Sequence, residues 1–116
     1  MSDCIFCKIV DGGIPCDKVF EDDDILAFKD LYPQRPVHLL VIPKKHITSL
    51  ATATADDVLV LGKMLAKANE IATAQGSTDG FRVIINTGRV GNQEVPHLHM
   101  HIVGGQDPVG PMLKRL

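Results

Sequence analysis

Three histidines fall within five residues, in His97-Leu98-His99-Met100-His101, and a cysteine pair stands at Cys4-x-x-Cys7. Side chains of a strand alternate between faces. His97, His99 and His101 therefore share one face, and Leu98, Met100 and Ile102 share the other. Two strand rises put neighbouring imidazoles about 6.6 Å apart. A merely solvated strand is served as well by Thr, Lys or Glu, whereas imidazole titrates near neutral pH and suits proton, metal or nucleophile work. Two chemistries fit. The histidines bind a catalytic metal, or a neutral imidazole attacks an electrophile while its neighbours manage protons. The second is favoured by what precedes the strand: Asn86 and the loop Gly88-Arg89-Val90-Gly91-Asn92-Gln93. Glycines in such a loop let backbone N–H groups cup anionic oxygens. Cys4 and Cys7 have the spacing of half a zinc site, or are two buried thiols in a short helix. No βαβ unit surrounds them, which disfavours a redox pair. Cys16 has no partner in the sequence and reads as incidental.

The elements that must position these groups follow from pattern. Cys4 to Val10 reads as a short helix, broken by Gly12-Gly13-Ile14-Pro15. Lys18 to Glu21 and Ile25 to Lys29 are two strands joined by the acidic turn Asp22-Asp23-Asp24. Leu31 to Pro36 is a loop with two prolines, and Val37 to Ile42 is a central strand. A long helix spans Asp56 to Gln75, with Val58, Leu61, Leu65, Ala68 and Ala72 as its apolar stripe. Thr54 is its N-cap and Gly76 its stop. Phe81 to Asn86 and His97 to Val103 complete the strands. The expectation is an α+β domain: an antiparallel sheet of about five strands with the long helix on one face.

Composition narrows the rest. The chain has 116 residues, enough for one domain, and a formal charge of −2. A protein that coats nucleic acid usually carries a strong basic excess, so a nucleic-acid polymer is not the expected partner. No stretch approaches the roughly 20 apolar residues that span a bilayer. No secretory pattern opens the sequence. A cytoplasmic location with reduced cysteines is expected. Lys44 and Lys45 read as a solvated turn.

The run His97-Leu98-His99-Met100-His101-Ile102-Val103 resembles the signature of the histidine triad family. So do Ala27-Phe28-Lys29-Asp30, His38 to His46, Phe81 to Asn86 and the tail Gly110-Pro111-Met112-Leu113. The likeness runs along nearly the whole chain, as one histidine triad domain over residues 1–116. It is nearest the bacterial branch of purine nucleoside phosphoramidases. It implies a homodimer that hydrolyses purine nucleoside 5′-phosphoramidates of AMP or GMP type, with no catalytic cofactor. Related activities are dinucleoside polyphosphate hydrolysis, nucleotidyl transfer, or nucleotide binding with little turnover.

The resemblance also distributes roles. His99 corresponds to the nucleophile that forms a nucleotidyl-imidazole intermediate. His101 corresponds to the group bonding the phosphate oxygens, and His38 to one that sets the tautomer of the nucleophile. Asp30 matches the ribose-binding position, with Leu31 beside it. Asn86, Asn92, Gln93 and Glu94 match the phosphate and leaving-group wall. Ile5, Phe6, Ile9 and Phe28 match the apolar slot for the base. Some members hold a structural zinc with a Cys pair and two His, positions filled here by Cys4, Cys7, His46 and His97. The sequence departs from the pattern at Pro96, where an aromatic residue is frequent, at Asn92, where Gly is frequent, and in a tail without Trp.

Overall fold

Five strands, two α-helices and one 3-10 turn follow one another in the computed structural model, which describes residues 3–113. Helix α1 covers Ile5–Val10, and its N-cap is Cys4, whose Sγ accepts the Cys7 N–H at 3.2 Å. Strands β1 (Lys18–Glu21) and β2 (Ile25–Lys29) form the expected hairpin. Asp22 organises its turn, because Oδ1 accepts the N–H groups of Asp24 and Ile25. Lys63 of the long helix reaches down to both Asp22 and Asp24, so the turn is tied to the helix as well as solvated.

Strand β3 (Val37–Pro43) is buried at every residue, as a central strand should be. Lys44 and Lys45 after it are more than a solvated turn. Lys44 pairs with Glu21 at 2.7 Å and Lys45 with the buried Asp57 at 2.7 Å. Thr54 and Asp57 close a reciprocal capping box over the 3-10 turn Ala55–Asp57, which leads into α2 (Val58–Ala74). The helix ends in a Schellman arrangement. Gly76 sits at φ +103 while the Ser77 N–H bonds the Ala72 carbonyl and the Gly76 N–H that of Thr73.

Strands β4 (Arg82–Ile85) and β5 (Met100–Gly104) complete an antiparallel sheet of order β1-β2-β3-β5-β4. Its two faces have different tasks. One packs Ile25, Ala27, Leu39, Val41, Met100 and Ile102 against α2. The other packs Leu26, Phe28, Leu40 and Ile42 against Cys4 and Phe6 at α1.

Two sequence expectations are corrected. The helix stripe is rotated: Val58 and Leu65 are 62% and 55% exposed, while Met64, Ala68, Ile71 and Ala72 are buried. Many apolar residues on α2 allow more than one stripe of similar quality, and contact with the sheet selects the one containing Met64 and Ile71. The last strand begins at Met100, not His97. Its register with β3 pairs Val41 with Met100, which carries the ladder towards Pro43. Proline has no N–H to donate, and the Pro43 carbonyl is taken by the His97 ring at 2.9 Å. Residues 97–99 keep the alternation of faces nonetheless: Leu98 lies in the cluster under α2, whereas His97 and His99 both meet the Phe6 ring.

Candidate active site

Three of the five imidazoles, those of His38, His97 and His99, are governed by what main-chain groups permit. A carbonyl oxygen only accepts, so a ring nitrogen bonded to one must carry hydrogen. His99 Nδ1 lies 2.8 Å from the His97 carbonyl oxygen. Its proton is on Nδ1, and Nε2 keeps the lone pair. His97 Nε2 donates to the Pro43 carbonyl, so the lone pair of His97 is on Nδ1. An amide N–H only donates. The Gln34 N–H reaches His38 Nδ1 at 3.0 Å, which makes that atom the acceptor and places the His38 proton on Nε2. His38 Nε2 then donates to His101 Nδ1 at 2.9 Å. His101 is left with an N–H on Nε2. His38 was expected to set the tautomer of His99; it bonds His101 instead, and the His97 carbonyl fixes His99.

The rings of His38, His99 and His101 border a cleft of about 490 Å³. Ile5, Phe6, Ile9 and Phe28 form its apolar end. Asp30, Leu31, His38, Asn86, Asn92, Glu94, His99 and His101 also line it. Phe6 sets the apolar end against the catalytic candidates, with its ring edge-on to Phe28 at 5.8 Å and to His99 at 5.2 Å. Asp30 Oδ1 accepts the Tyr32 N–H, while Oδ2 lies 3.4 Å from His38 Nε2. Asn92 stands at φ +59, the left-handed region in which Gly is usual. Gln93 is not brought to the cleft. Its amide bonds Gly88, Thr48 and Val95 on the far side of the loop. Sequence reasoning missed Tyr32, Gln34, Leu40 and Val95, which also line the cleft. Leu40 had a signal, since it lies two residues from His38 and so shares its face of β3.

Cys4, Cys7, His46 and His97 converge, with all four donor atoms within 4.8 Å of one another. His97 Nδ1 is 3.2 Å from Cys4 Sγ and 3.5 Å from Cys7 Sγ. His46 Nδ1 is 3.2 Å from Cys7 Sγ. A tetrahedral zinc with ordinary Zn–S and Zn–N bonds has S···N edges of about 3.5 Å. The free lone pair of His97 faces the sulfurs, so the donor set fits a closed Cys2His2 centre. Asp30, His38 and His101 also converge, but their chemistry differs. His38 Nε2 already holds the proton that the Gln34 N–H forces onto it, so this trio is a hydrogen-bond relay.

The likeness to known proteins covers the whole of this architecture. A family profile described as scavenger mRNA decapping enzyme C-term binding matches residues 3–114. Protein HitA of Neisseria gonorrhoeae is 54% identical over 104 residues, 90% of this chain and 97% of that protein. The purine nucleoside phosphoramidase of Escherichia coli K12 is 46% identical over 110 residues, 94% of this chain and 92% of that enzyme. The crystal structure of a histidine triad protein from Clostridium difficile superposes with a TM-score of 0.89 at 46% identity, covering 96% and 97% of the two chains.

Burial, reinforced by the neighbouring His99 and His38 rings, pushes the His101 ring from 6.5 down to about 4. At neutral pH it is an uncharged N–H donor. The unfolded chain binds a proton here once the pH falls below 6.5, and the folded chain only near 4. This contribution to stability is therefore complete above the unfolded value and declines as the pH drops through that window. Urea unfolding across the window should lose stability more steeply for the wild type than for His101→Gln. Equal slopes would refute the assignment.

Proposed function

The chain belongs to the histidine triad family, and from that membership and the geometry of the cleft we propose that it hydrolyses purine nucleoside 5′-phosphoramidates through a nucleotidyl-His99 intermediate. One observation carries the reading: the bond from His99 Nδ1 to the His97 carbonyl leaves an Nε2 lone pair facing the cleft without prior loss of a proton. The name of the Escherichia coli relative supports the choice of a P–N bond.

In this reading the base lies among Ile5, Phe6, Ile9 and Phe28, and the ribose hydroxyls bond Asp30 beside Leu31. Nε2 of His99 bonds the α-phosphorus as the P–N bond breaks. The departing nitrogen leaves with its electron pair and takes up a proton from solvent at the cleft wall, beside Glu94. Charge on the phosphoryl oxygens meets the His101 Nε2–H, Asn86 and the loop carrying Asn92. Such oriented donors act strongly where charge develops. Water then attacks the phosphorus and gives up its proton to solvent, and the P–Nε2 bond breaks with its pair returning to Nε2, releasing the nucleotide and neutral His99.

Zinc on Cys4, Cys7, His46 and His97 would be structural in this scheme, because four protein ligands leave no open position. It would fasten α1, with the base slot, to the segment carrying the nucleophile. A homodimer also belongs to the reading. Strand β4 is a half-buried edge of the sheet, and Val58, Leu59 and Leu65 leave apolar surface on the outside of α2. No helix among the described residues is long and apolar enough to cross a membrane.

His99→Ala should lower kcat/KM on an adenosine phosphoramidate by at least about 10³-fold; turnover near wild type would sink the nucleophile assignment. Metal analysis should find about one zinc per chain, and chelation should cost thermal stability before activity. A metal content well below that removes the zinc centre from the scheme. Sedimentation should give the mass of two chains, and a lone-chain mass at micromolar concentration ends the dimer reading.

A further inference from the structure

The loop between β4 and the histidine segment has to present Asn92 and Glu94 to the cleft at a fixed distance from His99. Gln93, between them, faces the other way. Its Oε1 accepts the Gly88 N–H at 2.9 Å while its own N–H bonds the Gly88 carbonyl at 3.0 Å. One residue thus grips Gly88 at two points and closes the loop on itself. Both hydrogens of its Nε2 are also used, on the Val95 carbonyl at 2.9 Å and the Thr48 carbonyl at 2.8 Å.

The Thr48 bond has a further meaning. The preceding carbonyl, Ile47, accepts the Leu98 N–H at 2.7 Å. Two consecutive peptides therefore hold two catalytic parts: Ile47 holds the residue next to His99, and Thr48 holds the loop. The distance between nucleophile and loop is set by this pair of bonds. The loop has no slack to find its shape otherwise. Gly91 folds so close to its beginning that a Cβ there would lie 2.5 Å from the Thr87 carbonyl oxygen. Asn92 is held at φ +59, a conformation that persists only where surrounding contacts enforce it.

We propose that Gln93 is a positioning residue, not a nucleotide contact: its side-chain amide fixes the Thr87–Val95 loop against the nucleophile, so that Asn92 and Glu94 meet the reacting phosphoryl group. The proposal rests on the phosphoramidase reading above. A misplacement of about 1 Å at a reacting centre costs on the order of 100-fold in rate. Binding of the nucleotide itself draws on the apolar slot and Asp30, which Gln93 does not touch.

The test uses Gln93→Ala and Gln93→Glu in the full chain; Gln93→Glu keeps an acceptor for Gly88 but loses both donors. Each should lower kcat on an adenosine phosphoramidate by roughly 10- to 100-fold, with KM and the AMP Kd within about 3-fold of wild type. A kcat within twofold of wild type overturns the proposal. So does a loss of AMP affinity that accounts for the whole fall in kcat/KM, since that marks a direct contact. If the wild type shows no turnover, the phosphoramidase reading fails, and Gln93 is judged by NMR. AMP should shift the Asn92 and Glu94 amides in wild type and not in Gln93→Ala; the same shifts in both overturn the role.

Discussion

The hydrogen bond from His99 Nδ1 to the carbonyl of His97, 2.8 Å long, is the contact on which the rest of the site depends. An imidazole can attack through Nε2 only when its proton is on Nδ1, and in water the two tautomers interchange freely. A buried carbonyl left without its donor costs about 1–3 kcal/mol, roughly 5- to 150-fold in the tautomer ratio. The surroundings keep that carbonyl still. The His97 ring is held by Pro43 on one side and faces the two cysteines on the other. Phe6 packs edge-on against both histidines. Helix α1, short as it is, therefore supports the histidines as well as the apolar end of the cleft.

The second imidazole pair works by the same logic with the opposite kind of group. A main-chain N–H at Gln34 orients His38, and His38 passes the orientation to His101. The result is an uncharged N–H donor in the cleft. Cations are placed elsewhere: Lys44, Lys45 and Lys63 are committed to Glu21, Asp57 and the Asp22 turn. Arg35 and Arg82 bond the carbonyls of Val109 and Gly110, fastening the tail across the sheet. Among the described residues no Lys or Arg lines the cleft, so the anion of the proposed reaction would be met there by dipoles.

The strands, the acidic turn, the helix cap and the common face of the three histidines were legible because each is a local property of spacing and turn chemistry. What was not legible depends on register and on competition for partners. Nothing near His38 says that it lies diagonally across from His101; the pairing of Leu40 with His101 decides that. The late start of β5 follows from Pro43, more than fifty residues away in sequence. The helix stripe was misjudged because Val58 and Leu65 suit the period as well as Met64 and Ile71. Gln93 was assigned to the phosphate wall with its neighbours, yet its amide is taken by main-chain groups of Gly88, Thr48 and Val95.

That the group orienting His99 is a peptide carbonyl has an evolutionary side. Every amino acid brings the same carbonyl, so no exchange at position 97 can delete the acceptor; it can only displace it. The side chain there is thereby left open to a separate selection, here for a ring that faces two thiols. A lineage can alter or abandon the sulfur-rich centre without rewriting the instruction that tells the ring of His99 which nitrogen keeps its lone pair.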